Sequence, residues 1–167
     1  MDTTIKRRTV DYADLIVSGN PEETLAISSL GSCLAVLLYD PVNGIGGMLH
    51  TLLPDSSMEK LPRSSIAFNP YKYVDTGVPK LFDKLYRAGA SKSDLLLSVF
   101  GGNYGYEEEK YSIGRRNFLA LRKVAWREGV LIKNEHVGGR ANRYVSFNIE
   151  DGRITLDVDR RENFVFG

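Results

Sequence analysis

The chain has 167 residues, of which 43% are hydrophobic and 26% are charged, and its 22 Lys and Arg nearly balance its 21 Asp and Glu. This length is typical of one domain, so we expect a single domain over residues 1–167. The composition excludes a disordered chain, and the near-zero net charge argues against a nucleic-acid-binding protein.

Neither a membrane span nor a secretion signal is visible. The longest apolar runs, such as Leu34–Tyr39, fall far short of the ~20 residues that cross a bilayer. The N-terminus runs from Asp2 into Lys6–Arg8 without an apolar core, which is unlike a secretory signal. We therefore predict a cytoplasmic protein that does not insert into membranes.

The first half of the chain predicts strands. A weak strand is expected near Tyr12–Val17, followed by strands over Thr24–Leu30, Leu34–Tyr39 and Ile45–Leu53. The strand over Leu34–Tyr39 is apolar throughout, as is typical of a strand buried on both faces. A glycine pair at 46–47 predicts a close backbone approach or a bulge.

A helix is predicted to follow a loop over residues 55–70. Apolar residues recur at helical spacing from Tyr73, with Asp75 or Thr76 as a possible cap and Gly89 as a possible end. A buried strand is then expected over Asp94–Phe100.

The remaining pattern predicts a second helix and closing β-structure. The helix covers about Gly114–Glu128, ends at Gly129, and is followed by a strand from Val130 toward Val137. Tyr144–Ile149 and Ile154–Val158 alternate apolar with polar residues around a turn, which predicts a hairpin. Together these elements predict an α/β (α+β) fold, in which two amphipathic helices pack against a mostly antiparallel or mixed sheet.

Cys33 is the one cysteine, and His50 and His136 are the two histidines. One cysteine cannot form an internal disulfide, and three such residues cannot build the usual four-ligand structural zinc site. Considered alone, Cys33 is more often a packed, inert thiol and His50 a hydrogen-bonded core histidine. His136 lies in a charged stretch, Lys133–His136, and is a poor candidate for a catalytic base.

The spacing between Cys33 and His50 favours a catalytic pair. If the strands on either side of the Asp40–Gly44 turn are antiparallel neighbours, the two residues travel similar distances from it at ~3.3 Å per residue. They would then be cross-strand neighbours, about 5 Å apart at Cβ. An imidazole at that range can take the thiol proton and leave a thiolate beside an imidazolium. The glycine pairs at 46–47, 101–102 and 138–139, by contrast, fit no phosphate-binding motif.

Several blocks resemble the chemoreceptor glutamine deamidases of bacterial chemotaxis, the CheD family. The most specific ones contain Gly31-Ser32-Cys33 and Gly46-Gly47-Met48-Leu49-His50. Further blocks follow in the family's order at Tyr73–Gly77, Phe100–Gly102, Ile113–Asn117 and Val137–Gly139. The similarity extends over about residues 10–158.

This resemblance implies a sandwich domain that hydrolyses glutamine side chains of methyl-accepting chemoreceptors to glutamate and releases ammonia. It also implies Cys33 as nucleophile, His50 as base, a CheC-type phosphatase as partner, and no metal or organic cofactor. The chain departs from the family at one position. A threonine that completes the family's site falls six residues before the cysteine, where this sequence has Ile27.

Two other functions stay open at this point. Ile27 would fit a weakly catalytic or non-catalytic protein that regulates a CheC-type phosphatase by binding it. The Cys33 and His50 pair would also fit a thiol hydrolase that acts on another amide, or a transglutaminase-like enzyme.

Overall fold

The computed structural model describes residues 4–106 and 108–167 and arranges their strands in two five-stranded sheets. The first sheet consists, in spatial order, of β1 (Lys6–Thr9), β3 (Glu23–Leu30), β8 (Arg143–Asn148), β9 (Ile154–Val158) and β10 (Glu162–Phe166). The second consists of β2 (Asp14–Ser18), β5 (Ile45–Thr51), β4 (Leu34–Asp40), β6 (Leu96–Gly101) and β7 (Ile132–Val137). The β1–β3 and β6–β7 pairs are parallel and the other neighbours antiparallel, so both sheets are mixed.

The second sheet is the middle of three layers. One face of β4, with Leu34, Val36 and Leu38, packs into the core beneath the helices α1 (Val74–Arg87) and α2 (Ile113–Glu128). The other face, with Ala35 and Leu37, packs into the core between the two sheets. Burial on both faces explains why this strand is apolar at nearly every position, and it confirms the prediction.

The predicted helices are confirmed, but the predicted cap of α1 is wrong. Its N-cap is Tyr73, whose side chain makes no capping hydrogen bond. Asp75 instead accepts hydrogen bonds from the backbone N and Oγ of Ser56, and Thr76 Oγ1 donates to the Pro70 carbonyl. These side chains therefore tie the start of α1 to the preceding loop. The end of α2 is as predicted, with Gly129 in the left-handed conformation at φ +70°.

The predicted glycine pair in β5 marks close packing on both faces. A Cβ on Gly46 would lie 2.7 Å from the Phe147 ring, and one on Gly47 would lie 2.8 Å from Leu85. The first contact is with the other sheet and the second with α1. Two strands, β1 and β10, were not predicted. The first is short and mostly basic, and the second ends in a short apolar run, Phe164–Phe166, without an apolar–polar alternation.

Candidate active site

Cys33 lies in a three-residue turn that joins β3 of one sheet to β4 of the other. The backbone carbonyls of this turn accept hydrogen bonds from neighbouring segments. Gly31 O accepts from Asn103 N at 3.0 Å, and Cys33 O accepts from Gly102 N at 2.9 Å. The third carbonyl, Ser32 O, accepts from Asn117 Nδ2 at 2.9 Å. Three hydrogen bonds from two neighbouring segments, Gly102–Asn103 and α2, therefore fix the turn that carries the thiol.

The N–H groups of this turn have a different environment. Within the described residues the backbone N–H groups of Gly31 and Ser32 donate no hydrogen bond, and that of Cys33 interacts with its own thiol. Gly31 and Ser32 are exposed and Cys33 is partly buried. Consecutive N–H groups left open in a turn can bind a developing negative charge.

Glycines allow neighbouring segments to approach this turn closely. Gly101 has φ +109°, and a Cβ there would lie 2.2 Å from the Cys33 carbonyl oxygen. A Cβ on Gly114, in the first turn of α2, would lie 2.0 Å from the Asn103 carbonyl oxygen. These two glycine blocks, which resemble those of the family, thus shape the support of the nucleophile turn as well as the fold.

His50 is 3% exposed and lies near the end of β5. Its Nδ1 is 3.2 Å from the Val10 carbonyl oxygen, and because a carbonyl only accepts, Nδ1 carries the proton. Its Nε2 is buried and has no hydrogen-bond partner among the described residues. The Tyr12 ring covers the imidazole with a centroid separation of 4.7 Å. This arrangement leaves a free lone pair on a fixed imidazole.

The expectation that Cys33 and His50 lie directly opposite each other is wrong by two residues. Ala35 is opposite His50, and Leu34 is opposite Thr51. The shift arises at the turn, where the Asp40 carboxylate accepts from the N–H groups of Val42 and Asn43 and the strands pair from Asp40 and Ile45 onward.

Alternation nevertheless places the thiol and the imidazole on the same face. Cys33 packs against the core between the sheets, and so does Ala35, the cross-strand partner of His50. Residues displaced by two positions across an antiparallel pair are diagonal neighbours about 7–8 Å apart, still within reach of a long or aromatic side chain. In this structure His50 Nε2 makes no hydrogen bond with the Cys33 sulfur, so the two side chains are neighbours on one face without direct contact between these atoms.

Burial shifts the pKa values of Cys33 and His50 so that the uncharged form of each side chain is favoured. It raises the pKa of the Cys33 thiol, an effect that its own backbone N–H opposes only in part. Burial also lowers the pKa of His50, against smaller opposite effects of the Val10 hydrogen bond and the Asp11 charge. In the free protein these shifts favour a thiol beside a neutral imidazole over the preformed ion pair expected from the spacing.

The sequence did not single out Asn117 as a site residue, although it lies beside the nucleophile turn. Its side chain is fully buried in α2, and its Nδ2 donates at 2.9 Å to the carbonyls of both Ser32 and Leu52. One amide thus joins the residue before Cys33 to the segment that follows His50. Asn117 ends the Ile113–Asn117 block that resembles the family, and its place in that block was the signal available from the sequence.

Ile27 is buried in the core between the sheets and makes no polar contact with His50. The neighbouring serines do not replace the family's threonine in this structure. Ser28 and Ser29 are exposed, and Ser29 Oγ donates to Asn142 Oδ1 at 3.1 Å. The group that orients the imidazole is therefore the Val10 carbonyl, which sequence patterns do not reveal.

His136 lies away from the pair. Its Nδ1 accepts a 2.8 Å hydrogen bond from Nε of Arg143, and burial together with this cation lowers its pKa. Arg143 also donates to the Gly138 carbonyl at 2.7 Å and to Asn103 Oδ1. The structure thus gives His136 a supporting role in the loops near the nucleophile turn.

Within residues 4–106 and 108–167, no group of three or more His, Cys, Asp or Glu is arranged to hold a metal ion. In the same part of the chain, no helix combines the length and the apolar character that crossing a membrane requires.

A family model described as "CheD chemotactic sensory transduction" matches residues 52–158. The chain belongs to the CheD family. The "Probable chemoreceptor glutamine deamidase CheD" of Solibacter usitatus is 40% identical over 154 residues, which cover 92% of this chain and 89% of the relative. The "Probable chemoreceptor glutamine deamidase CheD 1" of Syntrophus aciditrophicus is 37% identical over 146 residues, covering 87% and 89%.

These CheD relatives match nearly the whole chain, so the similarity includes the segment of Cys33 and His50 as well as the part that the family model covers. Among solved structures, the Bacillus licheniformis hypothetical protein YfiH is 14% identical with a TM-score of 0.46, covering 80% of this chain and 59% of that protein. That similarity is too low to assign the fold.

Proposed function

We propose that this CheD-family protein hydrolyses glutamine side chains of chemoreceptors to glutamate and ammonia, with Cys33 as nucleophile and His50 as general base. The observation that carries the proposal is the buried, unpartnered Nε2 of His50, on the same face of the sheet as Cys33. A buried polar atom without a partner costs free energy, so its retention calls for a reason. The reason that we propose is that Nε2 accepts the thiol proton during catalysis.

In the first half-reaction, the thiol proton moves to His50 Nε2 as the sulfur attacks the carboxamide carbon. The new C–S bond displaces the carbonyl electron pair onto oxygen, where the open N–H groups of Gly31 and Ser32 can stabilise the charge. When the carbonyl re-forms, the C–N bond breaks, and the imidazolium protonates the departing amine. The products are ammonia and a thioester on Cys33.

In the second half-reaction, a water molecule gives a proton to Nε2 as its oxygen attacks the thioester carbon. Collapse of this intermediate breaks the C–S bond, and the sulfur regains a proton from the imidazolium. The substrate leaves with glutamate where glutamine had been. Val10 supports both halves, because its carbonyl keeps the proton on Nδ1 and Nε2 free.

The resemblance to the family extends the proposal in two respects. We place the protein in the cytoplasm, where the signalling segments of chemoreceptors are modified. We also propose a CheC-type phosphatase as a binding partner. Both rest on the resemblance to the family alone. Cell fractionation tests the location, and co-purification tests the phosphatase partner.

The direct test incubates the protein with a purified cytoplasmic fragment of a methyl-accepting chemoreceptor. We expect ammonia release and a mass gain of one dalton at specific glutamines, measured by peptide mass spectrometry. Cys33→Ala should abolish both, and Leu61→Ala, which changes an exposed loop residue, should leave both unchanged. Wild-type protein that yields no modified glutamine would refute the proposal.

Ile27 supports a second candidate function, namely a regulator that binds a CheC-type phosphatase without catalysis. In that case Cys33→Ala would leave phosphatase binding and chemotactic signalling intact. Loss of signalling with binding preserved would favour the deamidase.

A further inference from the structure

The outer flank of α2 exposes apolar side chains that no described residue covers. Trp126 is 84% exposed, and Leu131, just beyond the helix, is 90% exposed. Together with Phe118 and Arg122 they line a groove with a volume of about 930 Å³. We call this surface, formed by Phe118, Arg122, Trp126 and Leu131, the Trp126 face.

The charges around this face are mainly positive. The helix has five basic residues and one acidic residue, and Arg122, Lys123 and Arg127 line the groove with a single carboxylate, that of Glu135. The guanidinium of Arg122 lies 6.0 Å from the centroid of the Phe118 ring. Aromatic and arginine side chains of this kind are the usual anchors of protein interfaces. The chemistry matches a partner that is apolar on one side and acidic at its edges.

The helix α2 connects the Trp126 face to the candidate active site. Asn117, which holds the Ser32 carbonyl beside Cys33, directly precedes Phe118, the first residue of the groove. From Asn117 to Trp126 the helix advances nine residues, or about 13–14 Å. The groove lies between α2 and β7, the terminal strand of its sheet. The helix α2 thus contacts the nucleophile turn near its start, through Asn117, and carries Trp126 near its end.

We propose that the Trp126 face docks an acidic, amphipathic helical segment of the substrate, and the proposal rests on the deamidase function above. The target glutamine would enter at Cys33, and the docked residues would lie two to three helical turns further along the same segment. Deamidation itself replaces neutral side chains by carboxylates. The face should therefore bind segments that already carry glutamates more tightly than segments that carry only glutamines.

Trp126 is the only tryptophan of the chain, so its fluorescence reports on this surface directly. The experiment titrates Cys33→Ala protein with the cytoplasmic fragment of a chemoreceptor, so that binding is measured without turnover. We expect a blue-shifted emission that saturates, because Trp126 moves from water into an interface. Unchanged emission at saturating fragment would overturn the proposal. A shift with protein concentration alone, or only with a CheC-type phosphatase, would assign the face to another occupant and also overturn it.

Kinetics with two substrates separate docking from chemistry. For the receptor fragment, Trp126→Ala and the double variant Arg122→Glu, Lys123→Glu should each lower kcat/KM roughly tenfold. For a short glutamine peptide, and for Cys33 alkylation, neither variant should have an effect. Val165→Ala and Lys80→Glu, at exposed positions elsewhere, are the matched controls.

Salt and substrate charge complete the test. Raising ionic strength should weaken the wild-type reaction with the fragment more than that of the charge-reversed variant. A fragment whose neighbouring glutamates are replaced by glutamine should bind less tightly. Equal kcat/KM for all variants on an active substrate would refute the docking face alone. Absence of turnover on both substrates would refute the deamidase, while the fluorescence titration still decides whether the face binds.

Discussion

Asn117→Ala tests whether one buried amide fixes the nucleophile turn. The substitution removes two hydrogen bonds of 2.9 Å, which Nδ2 donates to the carbonyls of Ser32 and Leu52. It also removes Oδ1, which is buried and has no partner among the described residues. The change thus leaves two acceptors without a donor and eliminates one unsatisfied acceptor.

The expected loss of stability is moderate. An acceptor left without its donor costs about 1–3 kcal/mol when buried, and the low end applies here because Ser32 is exposed and Leu52 is half-buried. Loss of the orphan Oδ1 offsets part of the cost, whereas the small cavity adds to it. We therefore expect unfolding free energy to fall by about 2 kcal/mol, which corresponds to a urea midpoint lower by roughly 1 M.

The assay combines urea unfolding, followed by circular dichroism, with the rate of Cys33 alkylation. The alkylation rate should rise as the turn loosens, while deamidation should fall because the open N–H groups lose their fixed positions. Asn117→Asp keeps the shape but points an oxygen at two carbonyls, so it should lose at least as much stability.

Asn134→Ala is the matched control, since among the described residues its side-chain amide donates a single hydrogen bond, to Ser98 Oγ at 3.1 Å. It should leave the reactivity of Cys33 unchanged. A change of stability below about 0.5 kcal/mol in Asn117→Ala, or an equal change of Cys33 reactivity in the control, would refute this reasoning.

Three further predictions concern the thiol, its turn and a buried carboxylate. Because burial raises the pKa of Cys33, the pH at which its alkylation rate is half-maximal should lie above about 8.5, the pKa of a free thiol. His50→Ala should abolish deamidation without lowering that pH midpoint. A wild-type midpoint near neutrality would contradict a neutral thiol beside a neutral imidazole in the resting protein. Gly101→Ala should reduce both stability and deamidation, because the new Cβ meets the Cys33 carbonyl, whereas Gly105→Ala, also at positive φ but in open space, should cost only about 1 kcal/mol. Burial raises the pKa of Asp40, but the hydrogen bonds that its carboxylate accepts outweigh burial and hold the pKa below its ordinary value. The carboxylate should therefore stabilise the folded protein fully above the pKa of the unfolded state, about 3.9. This stabilisation should be lost as the pH falls through the pKa of the folded state. Asp40→Asn should therefore unfold at lower urea concentration at pH 7 and with a weaker pH dependence in acid, and equal acid sensitivity in wild type and variant would disprove this assignment.

Apolar patterning alone predicted most of the secondary structure. The two helices, the doubly buried strand at Leu34 and the closing hairpin follow from periodicities of 3.6 and 2, which are local properties of the chain. The family was also identifiable from local blocks, above all the one that contains Cys33 and the one that contains His50. The division of the strands between two sheets was not predictable, because strand pairing joins residues far apart in sequence.

The site shows the same limit in finer detail. The sequence spacing predicted that Cys33 and His50 lie on adjacent strands and on one face of the sheet. Their offset of two residues in register was not predictable, because it depends on how the turn at Asp40 closes. The carbonyl of Val10 and the amide of Asn117 reach the site from distant segments. Local patterns determine which residues are helical, extended or reactive. Only tertiary packing decides which backbone groups meet them, because any residue type can supply a carbonyl or an N–H.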